Sequence, residues 1–349
     1  MNVKEVIRKV NILSNGAIVL GDNVVIDSHY NRKVRVVTHT HSDHMIGLRS
    51  SITLCRNIVA TPLTIEIISE LGYRVPKTRK TPLPYGAELK LGNSVLKLIK
   101  ARHIMGSAQV ILDDHELGLR ITYTGDFKHP GSDTPVVETD ILIIESTYGR
   151  PEWVRPFKYE IENLMVDFIN RLLREGPVHI RGFHGKIQEV MEILRESGID
   201  APFILPDKIF KITELAVKHG MNIGNFFRLN DPEARSLIDY GWYIFLDHAG
   251  TQSTLRRYKL RKDAIEIILT GWEFKKPIRR LRGGKYVIAF SDHADFEELI
   301  SYVENAQPKF VITDASRSNA AYVLANEIKR RLGIEATALP ARGKPLVLY

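Results

Sequence analysis

The sequence predicts a mixed α/β protein, and three observations carry that reading. Over roughly the first 150 residues, short apolar runs are joined by turns rich in Gly, Asn and Asp, the pattern of strands and hairpins. From about Arg150 the texture changes to alternating strands and amphipathic helices, which suggests a layer of parallel strands. Along the whole chain, apolar runs stop at His, Asp or Glu, so one strand after another ends in a group capable of chemistry.

Residues 17–20 and 24–27, joined across Gly21-Asp22-Asn23, read as a β-hairpin ending in Asp27. That carboxylate is either a partner that orients a ligand histidine or a turn residue at a strand end. Val36 and Val37 close the next strand. Thr61-Pro62 then starts a helix to about Leu71, with proline at its first position and Gly72 beyond. Residues 89–91 and 95–99 form a hairpin around Gly92-Asn93-Ser94, which delivers His103 among small residues. Residues 110–112 and 119–123 pair around Asp114-His115-Glu116, the second run ending in Thr124-Gly125-Asp126, and residues 141–144 stop at Glu145. A helix over 157–175, a strand over 178–181, a helix over 186–196, and a strand and helix over 203–205 and 208–218 make the alternating layer. A strand over 265–269 leads into Thr270-Gly271-Trp272. The strand over 286–290 ends in Ser291-Asp292-His293-Ala294-Asp295 before a helix over 296–304, and the strand over 310–313 ends in Asp314 before a helix over 317–331. No internal repeat, low-complexity tract or long linker interrupts the chain.

The densest strand end is His39-Thr40-His41-Ser42-Asp43-His44, three imidazoles and a carboxylate in six residues. On an extended backbone His39 and His41 point the same way, so both can bind one ion, while Asp43 and His44 turn toward a second. Neutral imidazole and carboxylate suit zinc or a similar divalent ion, manganese among them. The bland alternative, a His-rich surface turn, is disfavoured by the strand that precedes the motif. An H-x-H site still needs a third protein ligand, for which His103 is the candidate. Asp126 suits a carboxylate bridging two ions about 3.5 to 4 Å apart, against the alternative of a turn aspartate after glycine.

Length and composition bound the rest. With 349 residues and 44% hydrophobic content, the chain can build one large domain or two ordinary ones around a real core. The single cysteine, Cys55, excludes an intramolecular disulfide and a cysteine-based zinc cluster, and fits a reducing, intracellular setting. Met1 to Val10 lacks an apolar signal core and no run of about 18 apolar residues occurs, so a soluble cytoplasmic protein with no membrane partner is expected. The net charge of +8 is clustered: Lys275, Lys276, Arg279, Arg280, Arg282 and Lys285 lie in one stretch, and Arg256, Arg257, Lys259, Arg261 and Lys262 in another. Such clusters attract a phosphate backbone, against the alternative of solvated loops on a basic protein.

With these residues in order, the sequence resembles the metallo-β-lactamase superfamily: H-x-H-x-D-H, a lone histidine after a strand, T-G-D, and later ligands at strand ends. Glu145-Ser146-Thr147-Tyr148-Gly149 and Phe290-Ser291-Asp292-His293-Ala294-Asp295 are similar to signature motifs of its β-CASP nuclease branch. Pro84-Tyr85-Gly86, Gly106-Ser107-Ala108-Gln109-Val110 and Thr270-Gly271-Trp272 resemble the short DNA-ligase-associated exonucleases, relatives of the Artemis type and of the messenger-RNA 3′-end processing endonuclease. The resemblance implies a four-layer αββα sandwich over 1–150 and 264–349, with a smaller β-CASP-like α/β domain inserted over 151–263. It implies His39, His41 and His103 as ligands of a first zinc ion, Asp43 and His44 of a second, and Asp126 between them. Glu145 and His293 match the pair that contacts the scissile phosphate and returns a proton to the leaving oxygen. Lys186 and Gln188, after Gly185, fall where the inserted domain approaches nucleic acid. Asp314 stands where relatives of the polyadenylation type carry a further histidine ligand, and Artemis-like relatives also lack that histidine, so either one ion or two is expected.

The implied activity is phosphodiester hydrolysis. Divalent ions lower the pKa of a bound water toward about 7, hydroxide attacks phosphorus in line, and His293, oriented by Glu145, is the general acid. Asp43 and Asp126 belong to the catalytic set, and the basic residues hold the strand. DNA is the expected substrate, as for an exonuclease in repair, with a DNA ligase or helicase as partner. RNA processing or degradation is the alternative with the same chemistry. A nucleic-acid-binding module with a degraded site is the alternative from another class. A glyoxalase-type hydrolase fits the metal motif but leaves Glu145, His293 and the basic stretches unexplained.

Overall fold

In the computed structural model, which describes residues 9–250, 260 and 264–341, the strands that lead into His39–His44, His103, Asp126 and Glu145 belong to two facing sheets. The first runs β1 (Val10–Ile12), β2 (Ala17–Leu20), β3 (Val24–Asp27), β4 (Val34–Val36), β5 (Asn57–Ala60) and β6 (Lys80–Pro82) in that order, parallel from β3 onward. The second starts as an antiparallel meander of β7 (Glu88–Leu91), β8 (Ser94–Lys100), β9 (Ala108–Asp114) and β10 (Leu119–Tyr123). β11 (Ile141–Ile144) lies parallel beside β10, and β19 (Phe310–Asp314) and β20 (Ala336–Leu339) extend that parallel edge.

Strand alternation decides what each side chain meets. Ile141, Ile143, Phe310 and Ile312 share one buried cluster with Ile18, Ile26, Val36 and Val59 of the first sheet. Behind the first sheet, Ile58 and Ala60 pack with Leu48 of α1 (Leu48–Leu54) and with Ile65 and Ile68 of α2 (Pro62–Glu70). Behind the second, Leu142, Ile144 and Val311 pack on Leu299 and Val303 of α7 (Phe296–Ala306) and on Leu324 and Ile328 of α8 (Ala320–Leu332). The layers are therefore helix, sheet, sheet, helix, as expected. Because the strands flanking the site are parallel within each sheet, their carboxyl ends gather at one edge. Asp27 ends β3, His39 to His44 follow β4, Asp126 follows β10, Glu145 follows β11 and Asp314 ends β19.

The chain divides into two compact units, Met1–Val154 with His293–Tyr349, and Arg155–Asp292. The second unit holds β12 (Val178–Gly182), β13 (Phe203–Leu205), β14 (Phe226–Arg228), β15 (Ile244–His248), β16 (Ile265–Leu269), β17 (Ile278–Arg280) and β18 (Tyr286–Ile288). They form one sheet in the order β14-β13-β15-β12-β16-β18-β17, parallel except for β17, with α3 (Ile161–Leu173), α4 (Lys186–Glu196), α5 (Asp207–Lys218) and α6 (Pro232–Tyr240). The expected return to the first domain at 264 is corrected. β16 pairs with β12 and β18 with β16, so their backbone hydrogen bonds commit residues 265–288 to the second sheet. Among the described residues no helix is long and apolar enough to cross a membrane, and Cys55 is buried and unbridged. The basic cluster from Arg256 to Lys262 lies outside the described residues, apart from Leu260 within it.

One glycine sets the approach to the site. Gly125, between β10 and Asp126, has φ of +57°, and a Cβ there would lie 2.8 Å from the carbonyl oxygen of Ala108. Gly125→Ala is expected to cost about 1–3 kcal/mol and to displace Asp126. A lower Tm together with weaker metal retention would bear this out, and an unchanged Tm would contradict it.

Candidate metal and catalytic site

The loop after β4 is pinned before it reaches its histidines. Val37 N donates to Val59 O at 2.9 Å, and Thr38 O accepts from Ala108 N at 3.1 Å, which ties the loop to both sheets. Thr38 also donates from N and Oγ1 to Asp27 Oδ1, at 3.0 and 2.8 Å. Asp27 is fully buried, and its Oδ2 lies 2.6 Å from Nδ1 of His44. One carboxylate thus fixes the start of the loop and the ring at its end, leaving Nε2 of His44 as the ligand nitrogen. Arg35 supports the same segment from within the core, donating from Nη2 to His44 O at 3.1 Å and from Nη1 to Ser51 Oγ at 2.9 Å. Burial pushes its guanidinium pKa down to about 10.

The ring nitrogens converge on Asp126. Its Oδ2 lies 3.2 Å from His44 Nε2, 3.6 Å from His39 Nε2, 3.7 Å from His103 Nε2 and 3.9 Å from His293 Nδ1. His41 Nδ1 is 3.1 Å from His103 Nε2, and Asp43 Oδ2 is 3.2 Å from His44 Nε2. His39, His41 and His103 make one group with donor atoms within 4.8 Å of one another, and His39, His44 and Asp126 make a second.

These residues fit a divalent ion. Nε2 of His39 is buried with no hydrogen-bond partner. Burial, and then the neighbouring His44 and His103, push the pKa of His39 well below the ordinary value, so its ring is neutral. A buried lone pair among other ring nitrogens is costly unless a cation lies between them. Ligands of a tetrahedral zinc at about 2.0–2.1 Å sit about 3.3 Å apart, near the spacing seen here. Burial acts to raise the Asp126 carboxyl, but His44 and His293 outweigh it and hold it well below its usual range.

Glu145 is buried, with Oε1 accepting from Phe127 N at 2.9 Å and Oε2 3.0 Å from Nδ1 of the half-buried His293. Nε2 of His293 is then the nitrogen left to exchange a proton with a ligand. The other motif residues brace this edge. Tyr85 OH donates to Ser107 O at 2.7 Å. Gln109 Nε2 donates to Lys100 O and Pro135 O, while its Oε1 accepts from Tyr302 OH at 2.6 Å.

Three expectations are corrected. Asp314 stands apart from the His and Asp groups that cluster: Oδ1 accepts from Ser316 N at 2.8 Å and from Ser316 Oγ, and Oδ2 accepts from Arg317 Nη1 at 2.7 Å, so both oxygens serve their own loop. Gln188 is buried and caps α4, accepting from Gly185 N at 2.7 Å and donating to Thr213 Oγ1 at 2.9 Å. Lys186 is buried with Nζ 3.1 Å from Asp292 Oδ1. In the second unit Lys275, Lys276, Arg280 and Arg282 are exposed, whereas Arg279, also exposed, pairs with Glu273 at 2.6 Å. Beside them Trp272, of the Thr270-Gly271-Trp272 motif, is 60% exposed.

No family model matches the chain. It is 43% identical over 139 residues, 40% of its length, to an uncharacterised protein in the lig 3′ region of Acidianus ambivalens, 99% of which is covered. It is 26% identical over 321 residues to a probable DNA ligase of Opitutus terrae, covering 90% of this chain but only 29% of the ligase. An RNase J-like protein of Methanocaldococcus jannaschii is 26% identical over 298 residues, 72% of this chain and 70% of that one. The 5′ exonuclease Apollo of Gallus gallus is 24% identical over an alignment of 354 residues, 95% of this chain and 69% of that one. The chain belongs to the β-CASP branch of the metallo-β-lactamase superfamily. A solved structure of a protein of unknown function from Enterococcus faecalis V583 superposes on this β-CASP chain with a TM-score of 0.59, covering 91% of this chain and 81% of the other at 15% identity, a likeness of fold alone.

With any ion stripped from this β-CASP site, His44 would keep its proton above the usual range. Burial and Arg317 act against this, and Asp126 and Asp27 outweigh them. A raised folded-state value gives stability that is full below the unfolded pKa of about 6.5 and is lost as pH rises through the folded value. The stability gap between chelator-treated wild type and His44→Asn should therefore be widest below about pH 6.5 and narrow at higher pH. Thermal unfolding across pH reads this directly, and a gap that widens with pH would contradict it.

Proposed function

We propose that this chain is a metal-dependent nuclease that hydrolyses phosphodiester bonds at DNA ends, with zinc as its resident ion. The observation that carries the reading is the Asp126 carboxylate set among four histidine nitrogens, beside the Glu145–His293 pair. In this reading His39, His41 and His103 hold one ion, and His44, Asp43 and Asp126 are the candidates for a second. When bound, such an ion supplies the charge that polarises a phosphoryl oxygen and eases ionisation of water. The chain's own groups do the rest. Asp27 holds His44 by Nδ1, so Nε2 faces the cluster. Glu145 holds His293 by Nδ1, so a proton on Nε2 can pass to the leaving oxygen as the phosphodiester breaks. The exposed Lys275, Lys276, Arg280 and Arg282, with Trp272 beside them, suit a strand's phosphates and one base face.

DNA is favoured by the relative in a lig region and by the DNA ligase that aligns with 90% of this chain, and action from an end by the exonuclease relative. The first two of these relatives support a DNA ligase as functional partner. RNA is the second reading, supported by the RNase J-like relative. A buried lone thiol, Cys55, is in keeping with a cytoplasmic setting.

The test is cleavage of matched, end-labelled DNA and RNA, single- and double-stranded, with zinc or manganese. DNA is expected to be cut faster, from its ends. Asp126→Asn and His41→Ala should abolish cleavage, and His293→Asn should lower kcat about 10²–10⁴-fold while oligonucleotide binding persists. Faster cutting of RNA would favour the second reading. Protein that retains no metal and cleaves no better than these variants would overturn the nuclease.

A further inference from the structure

His103 stands in the loop between β8 and β9 of the second sheet, yet its Nε2 lies 3.1 Å from Nδ1 of His41, on the loop after β4 of the first. Three hydroxyls from the first sheet's side hold the His103 loop by its carbonyl oxygens. Gly106 O accepts from Thr61 Oγ1 at 2.8 Å and from Thr64 Oγ1 at 2.9 Å, and the two hydroxyl oxygens are 2.9 Å apart. Both threonines are buried, Thr61 as the cap of α2 and Thr64 within its first turn. Tyr85 OH, from the connection between β6 and β7, donates to Ser107 O. Gly106 admits the threonines: its φ is +83°, and a Cβ there would lie 2.7 Å from Thr64 Oγ1. Inside the loop, Ser107 N donates to Ile104 O at 3.0 Å and Ile104 N to Ser107 Oγ at 3.2 Å, so the hold on 106 and 107 is passed to the neighbour of His103.

We propose that Thr64, supported by Thr61 and Tyr85, is a positioning residue that sets His103 against the histidines of the first sheet, so that metal affinity depends on hydroxyls outside the ligand set. This rests on reading the His and Asp cluster as a metal centre. The physical reason is tolerance. Ligand atoms have to be held to within about 0.5 Å, and residues 101–107 form no helix or strand that could do so. The hydroxyl pair at the start of α2 takes the place of a ladder of strand hydrogen bonds, and the partial positive charge of a helix start strengthens its grip on a carbonyl oxygen.

The experiment compares variants of the full chain by zinc affinity, set by competition with a chromophoric chelator, and by the visible spectrum of the cobalt-loaded protein, which reports ligand geometry. Thr64→Val should weaken zinc binding about 10- to 100-fold and alter the cobalt bands, while Thr64→Ser, which restores the hydroxyl, should stay near wild type. Thr139→Val serves as the control: its buried hydroxyl donates to Arg120 O at 2.9 Å, ahead of β11 and away from the cluster, so it should lower Tm and leave zinc affinity and the cobalt bands unchanged. Should Thr64→Val not fold, Tyr85→Phe carries the test on a ring that is 43% exposed, with an expected loss of roughly two- to tenfold in affinity. A valine variant that loses Tm but keeps wild-type affinity and spectrum would overturn the proposal. So would a serine variant as weak as the valine one, or an unmoved Tyr85→Phe. In each of these cases the metal centre and the nuclease reading stand, whereas a wild type that binds neither zinc nor cobalt would remove all three.

Discussion

One oxygen atom organises this molecule. Oδ2 of Asp126 lies within 3.9 Å of a ring nitrogen from each of His39, His44, His103 and His293, groups that reach it from three separate segments of the chain. Bringing four imidazoles and a carboxylate together away from water is unfavourable unless charge is shared among them or with a bound cation. The folded chain therefore depends on the electrostatic balance of this cluster, and an ion bound there would add directly to folding stability.

The sheets make that convergence cheap. Inward residues such as Ile143 and Ile312 bind the two sheets face to face, while outward neighbours such as Leu142 and Val311 hold the covering helices. With the backbone so fixed, only short loops at the carboxyl ends of β4, β8, β10 and β11 need specific placement. Asp27 shows how little extra is required. A single buried carboxylate holds the Thr38 backbone, the Thr38 hydroxyl and the His44 ring. His293 opens the part of the first unit that resumes after Asp292, and its ring is set by Glu145 from β11's end.

Most of the His and Asp cluster was legible because its signals are local. A strand followed by His or Asp declares both an element and its exposed end, so His39, His41, His44, His103 and Asp126 could be named before any contact was known. The hairpin of β2 and β3 has the residues expected of it, since a turn of Gly, Asp and Asn leaves little choice of register. What stayed hidden depends on partners distant in sequence. Arg35 looks like an exposed residue of an alternating strand, yet it is buried under the His44 backbone. At 314–317 both a carboxylate and a guanidinium were in view, and only the turn through Ser316 shows that Arg317 reaches Asp43. Gln188 fits a nucleic-acid contact by position but serves as a helix cap. The return to the first unit was misplaced because β16 and β18 look like any apolar strand until their neighbours are known. α6 was legible in principle, from the Asp231-Pro232 start that precedes it.

The central claim is that these strand ends jointly ligate a metal ion, and X-ray absorption at the zinc edge of the reloaded protein tests it most directly. The account predicts a first shell of nitrogen and oxygen at about 2.0–2.1 Å with the outer-shell scattering of about three imidazoles, and loss of one imidazole in His103→Ala. A sulfur-containing shell, an oxygen-only shell, or a spectrum unchanged by that substitution would contradict it.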